Sequence, residues 1–173
     1  SRLFVALPIG TQLLSSIKQL ILLNENLDGV RWTPLGNLHL TLFFLGEVDT
    51  MHVPEVIVRM DEVQLKEFHL TFHSFSLEGG RPHHPSMIWA KFNKNPEFTA
   101  LYLKLRNSFE PYISEPIKFS EPIPHVTVGR IKKVQAFELS VPMEEPFIVK
   151  GMELWQSVKT STGVIYPILA KKY

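Results

Sequence analysis

N-L-H-L-T-L-F-F-L-G, residues 37 to 46, decides how this chain folds. Side chains alternate between the two faces of a strand. Leu38, Leu40, Leu42 and Phe44 therefore share one face, and His39, Thr41 and Phe43 the other. The first set suits a core. The second puts an imidazole and a hydroxyl side by side on a packed strand, where a group needing accurate placement is best held. Much later, I-P-H-V-T-V-G-R, residues 123 to 130, repeats the pattern: His125 and Thr127 on one face, Val126 and Val128 on the other.

Two imidazoles and two hydroxyls facing one cavity form a chemical set. An imidazole titrates near neutrality, so a neutral one serves as base while a protonated partner serves as acid. Threonine hydroxyls donate hydrogen bonds to phosphoryl oxygens. The set suits attack at phosphorus, where catalysis is mostly positioning and charge stabilisation. No G-x-S-x-G elbow is present for acyl transfer, and there is no cysteine. Zinc sites need three or four ligands, and neither motif contains a carboxylate, so no metal and no cofactor is expected. A third copy, His69-Leu70-Thr71, is not rejected by spacing alone. His83 and His84 in a central loop, and His52 and His73, carry no such pattern.

Working outward, Arg2 to Leu7 reads as a strand rather than a signal peptide, because Pro8 cuts its short apolar run. Thr11 is placed to cap a helix through Leu23. Arg31 and Trp32 precede a loop, and Pro54 starts a second helix. Phe68 to Leu77 and Met87 to Phe92 read as strands around the loop Gly79 to Pro85, the best boundary between halves. A helix from Glu97 to Phe109 stops before Pro111, and Glu115 to Pro124 reads as an extended loop. Val126 to Ile131, Ile148 to Val158 and Val164 to Leu169 complete the strands. The order repeats as strand, helix, loop and H-x-T strand, a weak internal duplication, and three helices among mixed strands favour α+β. No apolar run approaches membrane-spanning length. The formal net charge of +1 argues against a broad nucleic-acid-coating surface and leaves room for a local anion site.

With these residues in hand, the chain resembles the two-histidine phosphoesterases, specifically the RNA 2′,3′-cyclic phosphodiesterases once described as 2′-5′ RNA ligases. The resemblance runs from Arg2–Pro8 through Arg31-Trp32, Pro34, Asn37–Gly46, Ile88–Ala90 and Pro124–Arg130 to Glu153–Ser157. It selects His39 with Thr41 and His125 with Thr127, and leaves His69 and Thr71 outside. It implies an α+β fold of two pseudo-symmetric lobes, each a mainly antiparallel sheet with helices, around a central cleft holding both H-x-T strands. Residues 1–173 would form one bilobal domain, with sequence halves near 1–80 and 81–173 free to interleave. Phe43 and Ser86 stand where many relatives carry basic or polar residues.

The implied reaction is hydrolysis of a 2′,3′-cyclic phosphate on RNA or an oligonucleotide to the 2′-phosphate, with reversible 2′-5′ ligation as the same steps reversed. His125 is expected as base and His39 as acid, with Thr41, Thr127, Arg130 and Arg31 on the phosphate. Gly129 marks a bulge or a close approach that reorients Arg130; the resemblance implies a phosphate-facing arginine, and a merely solvent-exposed one is the alternative. Phe43, by parity, is the candidate platform for a nucleobase, whereas Trp32, Trp89, Trp155 and Tyr166 are expected to be structural. The alternatives are a two-histidine enzyme acting on a small cyclic nucleotide or 2′-5′ oligonucleotide, and a non-catalytic RNA-end-binding module. The protein is expected to be a cytoplasmic, metal-independent monomer. The decoy motif gives a direct test. His125→Ala should cost about a hundredfold or more in kcat, and His69→Ala should stay within a few fold; equal losses in folded variants would mean the wrong pair was chosen.

Overall fold

In the computed structural model, which describes residues 1–113 and 121–173, fourteen helices and strands follow one another along the chain. They are β1 (Arg2–Pro8), α1 (Thr11–Leu23), β2 (Val30–Trp32), β3 (His39–Glu47), α2 (Val53–Glu62), β4 (Phe68–Leu70) and β5 (Phe72–Glu78). Then come β6 (Met87–Phe92), α3 (Pro96–Phe109), β7 (His125–Ile131), β8 (Phe147–Val149), β9 (Met152–Thr160), β10 (Gly163–Ile165) and β11 (Ile168–Lys172). The α+β expectation holds. The extended stretch expected over Glu115–Pro124 lies partly outside the described residues.

β1 is buried on both faces, as its near-continuous apolar run requires. It sits inside a nine-stranded sheet of order β10-β9-β1-β3-β7-β6-β5, with β11 also on β9 and β2 also on β7. Every described pairing is antiparallel. β9 to β11, from the end of the chain, extend the side of the sheet that holds β1 and β3. The segment read as a boundary, Gly79–Pro85, is instead the turn joining β5 to β6. Gly80 is required there: its φ is +73°, and a Cβ would meet the His84 carbonyl at 2.2 Å.

Leu13, Ile17 and Leu20 of α1, Val56 and Met60 of α2, and Phe98, Leu101 and Leu105 of α3 join one core with Leu3, Val5, Leu7, Leu40 and Leu42 of the sheet. The opposite face carries a second cluster of Phe4, Ala6 and Trp155 with Tyr166, to which no described helical residue belongs. α3 begins at Pro96 because the Asn95 side chain accepts from the backbone N–H groups of Glu97 and Phe98, both at 2.9 Å. Gly10, not Thr11, is the N-cap of α1. At the other end of that helix the buried Asn24 amide bridges Leu20 and Glu138. Three expected long strands are divided. Ile148–Val158 splits at Lys150-Gly151 into β8 and β9. Phe68–Leu77 splits at Thr71, so that β4 pairs with β8 in a separate two-stranded sheet. Val164–Leu169 splits at Tyr166-Pro167, where proline has no N–H to give a ladder.

The difference that matters most lies within β3. Its alternation breaks after Leu42: Ala6 pairs with Thr41, but Val5 pairs with Phe43, so β3 carries one extra residue against β1 there, and a second at Leu45, between Phe4↔Phe44 and Leu3↔Gly46. The first bulge reverses the facing of Phe43 and Phe44. Phe43 consequently points into the core, 2% exposed, against Tyr102 and Phe109. Phe44 points outward, 53% exposed. Strict alternation had assigned them the other way round, so Phe43 is not a platform for a base. β7 repeats the irregularity: Trp89 pairs with Thr127 and Ile88 with Gly129, which turns Arg130 out. Phe43→Ala should therefore lower unfolding stability by about 3–5 kcal/mol. Phe44→Ala should cost much less, as chemical denaturation of the two variants will show.

Candidate active site

Leu40 and Val126 are paired across β3 and β7, and both are 0% exposed. Antiparallel register about that pair sets His39 beside Thr127 and Thr41 beside His125. The two imidazoles thus stand diagonally on the face opposite the helices, close enough that charge on His125 lowers the pKa of His39. The structure brings His39, Thr41, His125 and Thr127 together. His69 lies elsewhere, exposed on β4, with only Glu67 as a charged neighbour at 3.8 Å.

Both rings are oriented in the same way. Nδ1–H of His39 donates to the carbonyl of Asn37 at 2.7 Å, and Nδ1–H of His125 to that of Ile123 at 2.8 Å. In each case the acceptor is two residues upstream, and the bond assigns the proton to Nδ1. Nε2 is left as the reactive nitrogen. At His39 it lies 3.1 Å from the Thr41 hydroxyl.

The surroundings of the two rings differ. His39 is enclosed by Phe4, Trp155 and Tyr166, at centroid distances of 4.9, 5.0 and 5.3 Å. Trp155 is itself fixed, because its indole N–H donates to Glu153 at 2.8 Å. Burial alone would raise the Glu153 carboxyl. Hydrogen bonds from Tyr173 and Trp155 and the charge of Lys171 outweigh it and hold the group below the usual carboxylate range. Tyr173, donating to the same carboxylate, is pushed up to about 12. His125 lies flat against Trp89, with ring centroids 3.6 Å apart and planes 13° from parallel. Beyond Trp89, Lys91 binds Glu78 at 3.0 Å, and Ser76 donates to the same oxygen.

Desolvation lowers the pKa of both imidazoles below the ordinary value. At His39 the Asn37 carbonyl opposes the shift and His125 adds to it. At His125 the Ile123 carbonyl and Glu78 oppose it and Lys91 adds to it. Both rings therefore hold a proton less readily than a free imidazole does.

Beyond the bulge, Arg130 pairs with Met87 and is exposed. Arg31 is its direct cross-strand partner on β2, also exposed. Neither has a carboxylate partner among the described residues, and like charges directly opposite are unfavourable without one. Phe44, stacked on Phe4 at 5.4 Å, occupies in the first motif the position that Arg130 occupies in the second. Among the described residues, no group of three His, Cys, Asp or Glu is placed to hold a metal ion, and no helix is long and apolar enough to cross a membrane.

The family described as LigT like Phosphoesterase matches residues 13–89, which include the first motif. Relatives extend the match through the second. The RNA 2′,3′-cyclic phosphodiesterase of Thermotoga maritima is 29% identical, over 97% of this chain and 92% of its own. That of Archaeoglobus fulgidus is 27% identical, over 95% and 96%. The chain is thus similar to LigT-like phosphoesterases along nearly its whole length. Solved structures share this fold throughout. TT0787 of Thermus thermophilus superposes with a TM-score of 0.83 at 22% identity, covering 99% of this chain and 97% of that one. E. coli LigT complexed with 3′-AMP gives 0.74 at 22%, covering 98% and 95%.

Sequence reasoning missed four contributors to the site. Phe44 was hidden by the bulge. Trp155 and Tyr166 were assigned to structure alone, but they enclose His39. Trp89 was assigned to the core, but it stacks on His125. Its spacing held a signal, since Trp89 and Lys91 alternate with buried Ile88 and Ala90 and so belong to the outward face.

The lowered imidazole values set a stability test. Below 6.5 the unfolded chain binds protons that the buried rings of the folded protein resist. Stability is full above that pH and is lost as pH falls through the lower folded values. Denaturant unfolding at pH 7.5 and 5 should show wild type losing more stability than His39→Gln.

Proposed function

We propose that this phosphoesterase hydrolyses a 2′,3′-cyclic phosphate at the end of RNA or an oligonucleotide, leaving a 2′-phosphate, without a metal or other cofactor. The observation that carries the proposal is the diagonal pair of imidazoles, each with Nδ1 occupied by a carbonyl and Nε2 free to move a proton. The names of the two relatives support the substrate class.

In the proposed step, neutral His125 takes a proton from water as the water oxygen bonds to phosphorus. The bond from phosphorus to O3′ breaks, and O3′ takes the proton of cationic His39. The nitrogen that activates water needs access to it. His125 suits that role because its carbonyl hydrogen bond is exposed, whereas both hydrogen bonds of His39 are partly buried. Thr41 and Thr127, set diagonally between the rings, donate to the non-bridging oxygens, and Arg130 with Arg31 balances the phosphate charge. Phe44, in the place first given to Phe43, offers the base a face. In this reading β3 and β7 belong to two pseudo-symmetric lobes with the cleft between them, in a monomeric cytoplasmic protein. In ligation the 5′-hydroxyl of a second strand takes the place of water: its oxygen bonds to phosphorus as the bond to O3′ breaks, and the same two proton transfers occur.

A dinucleotide ending in a 2′,3′-cyclic phosphate, assayed in excess EDTA, should be converted to the 2′-phosphate with a bell-shaped dependence of kcat/KM on pH. Loss of activity on chelation, restored by zinc or manganese, would sink the metal-free step. An aryl phosphodiester with an activated leaving group needs little protonation. His39→Ala should be largely rescued on it and His125→Ala should not; the opposite result reverses the two roles. Faster turnover of a cyclic mononucleotide than of the dinucleotide would favour a small cyclic nucleotide as substrate.

A further inference from the structure

The two tryptophans of the site are held in different ways. Trp155 satisfies its indole N–H on Glu153. Trp89 does not: its Nε1 is buried and finds no hydrogen-bond partner among the described residues. A buried, unmade hydrogen bond is costly, and such groups in folded proteins call for an explanation. The position of Trp89 is therefore not set by a polar contact. What the ring does make is a near-parallel stack on His125 at 3.6 Å, made possible because Trp89 pairs with Thr127 and Lys91 with His125 across β6 and β7.

A cation over an indole face is attracted by the ring quadrupole, more strongly when water is excluded. His39 lacks this arrangement, since its neighbours meet it tilted or edge-on at 4.9 Å or more. We propose that Trp89 is a positioning residue whose indole face holds the His125 ring and stabilises the positive charge that ring acquires during turnover. The inference rests on the acid–base phosphodiesterase reading given above. The water-derived proton arrives on His125 in the transition state, so charge stabilisation there speeds the chemical step. The charged groups facing His125 are Glu78 from β5, Lys91 from β6 and His39 from β3, with Arg130 further along β7 and Arg31 opposite it on β2. Lys91 and Glu78 bind each other, so their fields at the ring largely oppose; the Ile123 carbonyl also favours the cation, but His39 has the same bond from Asn37, which leaves the indole face as the pull particular to His125.

Ring fluorination drains the indole face while nearly preserving its shape, and so separates charge stabilisation from packing and burial. Tryptophan bearing zero to four ring fluorines would be placed at position 89 alone. His125 would be titrated by NMR in the free protein, with its signal assigned from His125→Gln, and kcat measured on the cyclic-phosphate dinucleotide. The His125 titration should move stepwise to lower pH with each fluorine, further than that of His39. By four fluorines kcat should fall about tenfold, with the melting temperature little changed. Trp89→Phe, which keeps a smaller π face, should fall between. A His125 titration that stays fixed across the series overturns the proposal, whether or not kcat changes. Because the titration needs no substrate, a stepwise shift in a protein that fails to turn over the dinucleotide would leave this inference standing and remove the substrate reading.

Discussion

The pairing of Leu40 with Val126 is the constraint on which the site depends. Both side chains are fully buried, so neither strand can slip by one residue without turning its apolar set to water and its histidine into the core. Burying a side chain of this size is worth about 1.5–3 kcal/mol, so a register shift that exposes several is heavily disfavoured. The diagonal placement of the imidazoles is thus enforced from behind, by the helix-packed face of the sheet. The catalytic face need contribute little to its own stability.

The bulges extend the argument. With strict alternation, each motif strand would offer only its histidine, its threonine and the residue two further on, Phe43 in one case and Gly129 in the other. One extra residue in each strand shifts the next outward position to Phe44 and Arg130 instead. An aromatic face and a guanidinium are different chemical tools, set by the same backbone device at equivalent places. This matched irregularity is better evidence of internal duplication than the letters, which agree only at the H-x-T pairs.

Much of this was legible in the sequence and some was not, for reasons that can be named. The strands, the three helices and the four H-x-T residues followed from periodicity and from the flanking motif. Phe43 was misplaced because a bulge is a relation between two strands, and β1 carries no letter announcing that Val5 will skip Leu42. Gly129 did hint at the second bulge, where Trp89 pairs with Thr127 and Ile88 with Gly129. Phe68–Leu77 and the C-terminal strands were drawn too long because propensity continues through Thr71 and Tyr166 while partners change. Trp155 and Tyr166 are distant from His39 in sequence, and only the pairing of β1 with β9 brings the tryptophan under the ring.

The two histidines share a backbone setting and differ in what surrounds them. Both rings have Nδ1 on a carbonyl two residues upstream, so in the proposed reaction any division of labour between them comes from the side chains nearby. Around His39 the aromatic rings are tilted or edge-on, and one of them is tied down by a buried carboxylate that is already satisfied by Tyr173 and Lys171. Around His125 a parallel indole leaves its own N–H unpaired among the described residues, and a lysine–glutamate pair stands behind it. An enclosed ring in an apolar cage gives up a proton readily once it holds one, which suits an acid. A ring backed by a π face and nearer to solvent accepts one from water, which suits a base. The symmetry of the strands supplies two equal tools, and the asymmetry of the aromatic packing makes them unequal.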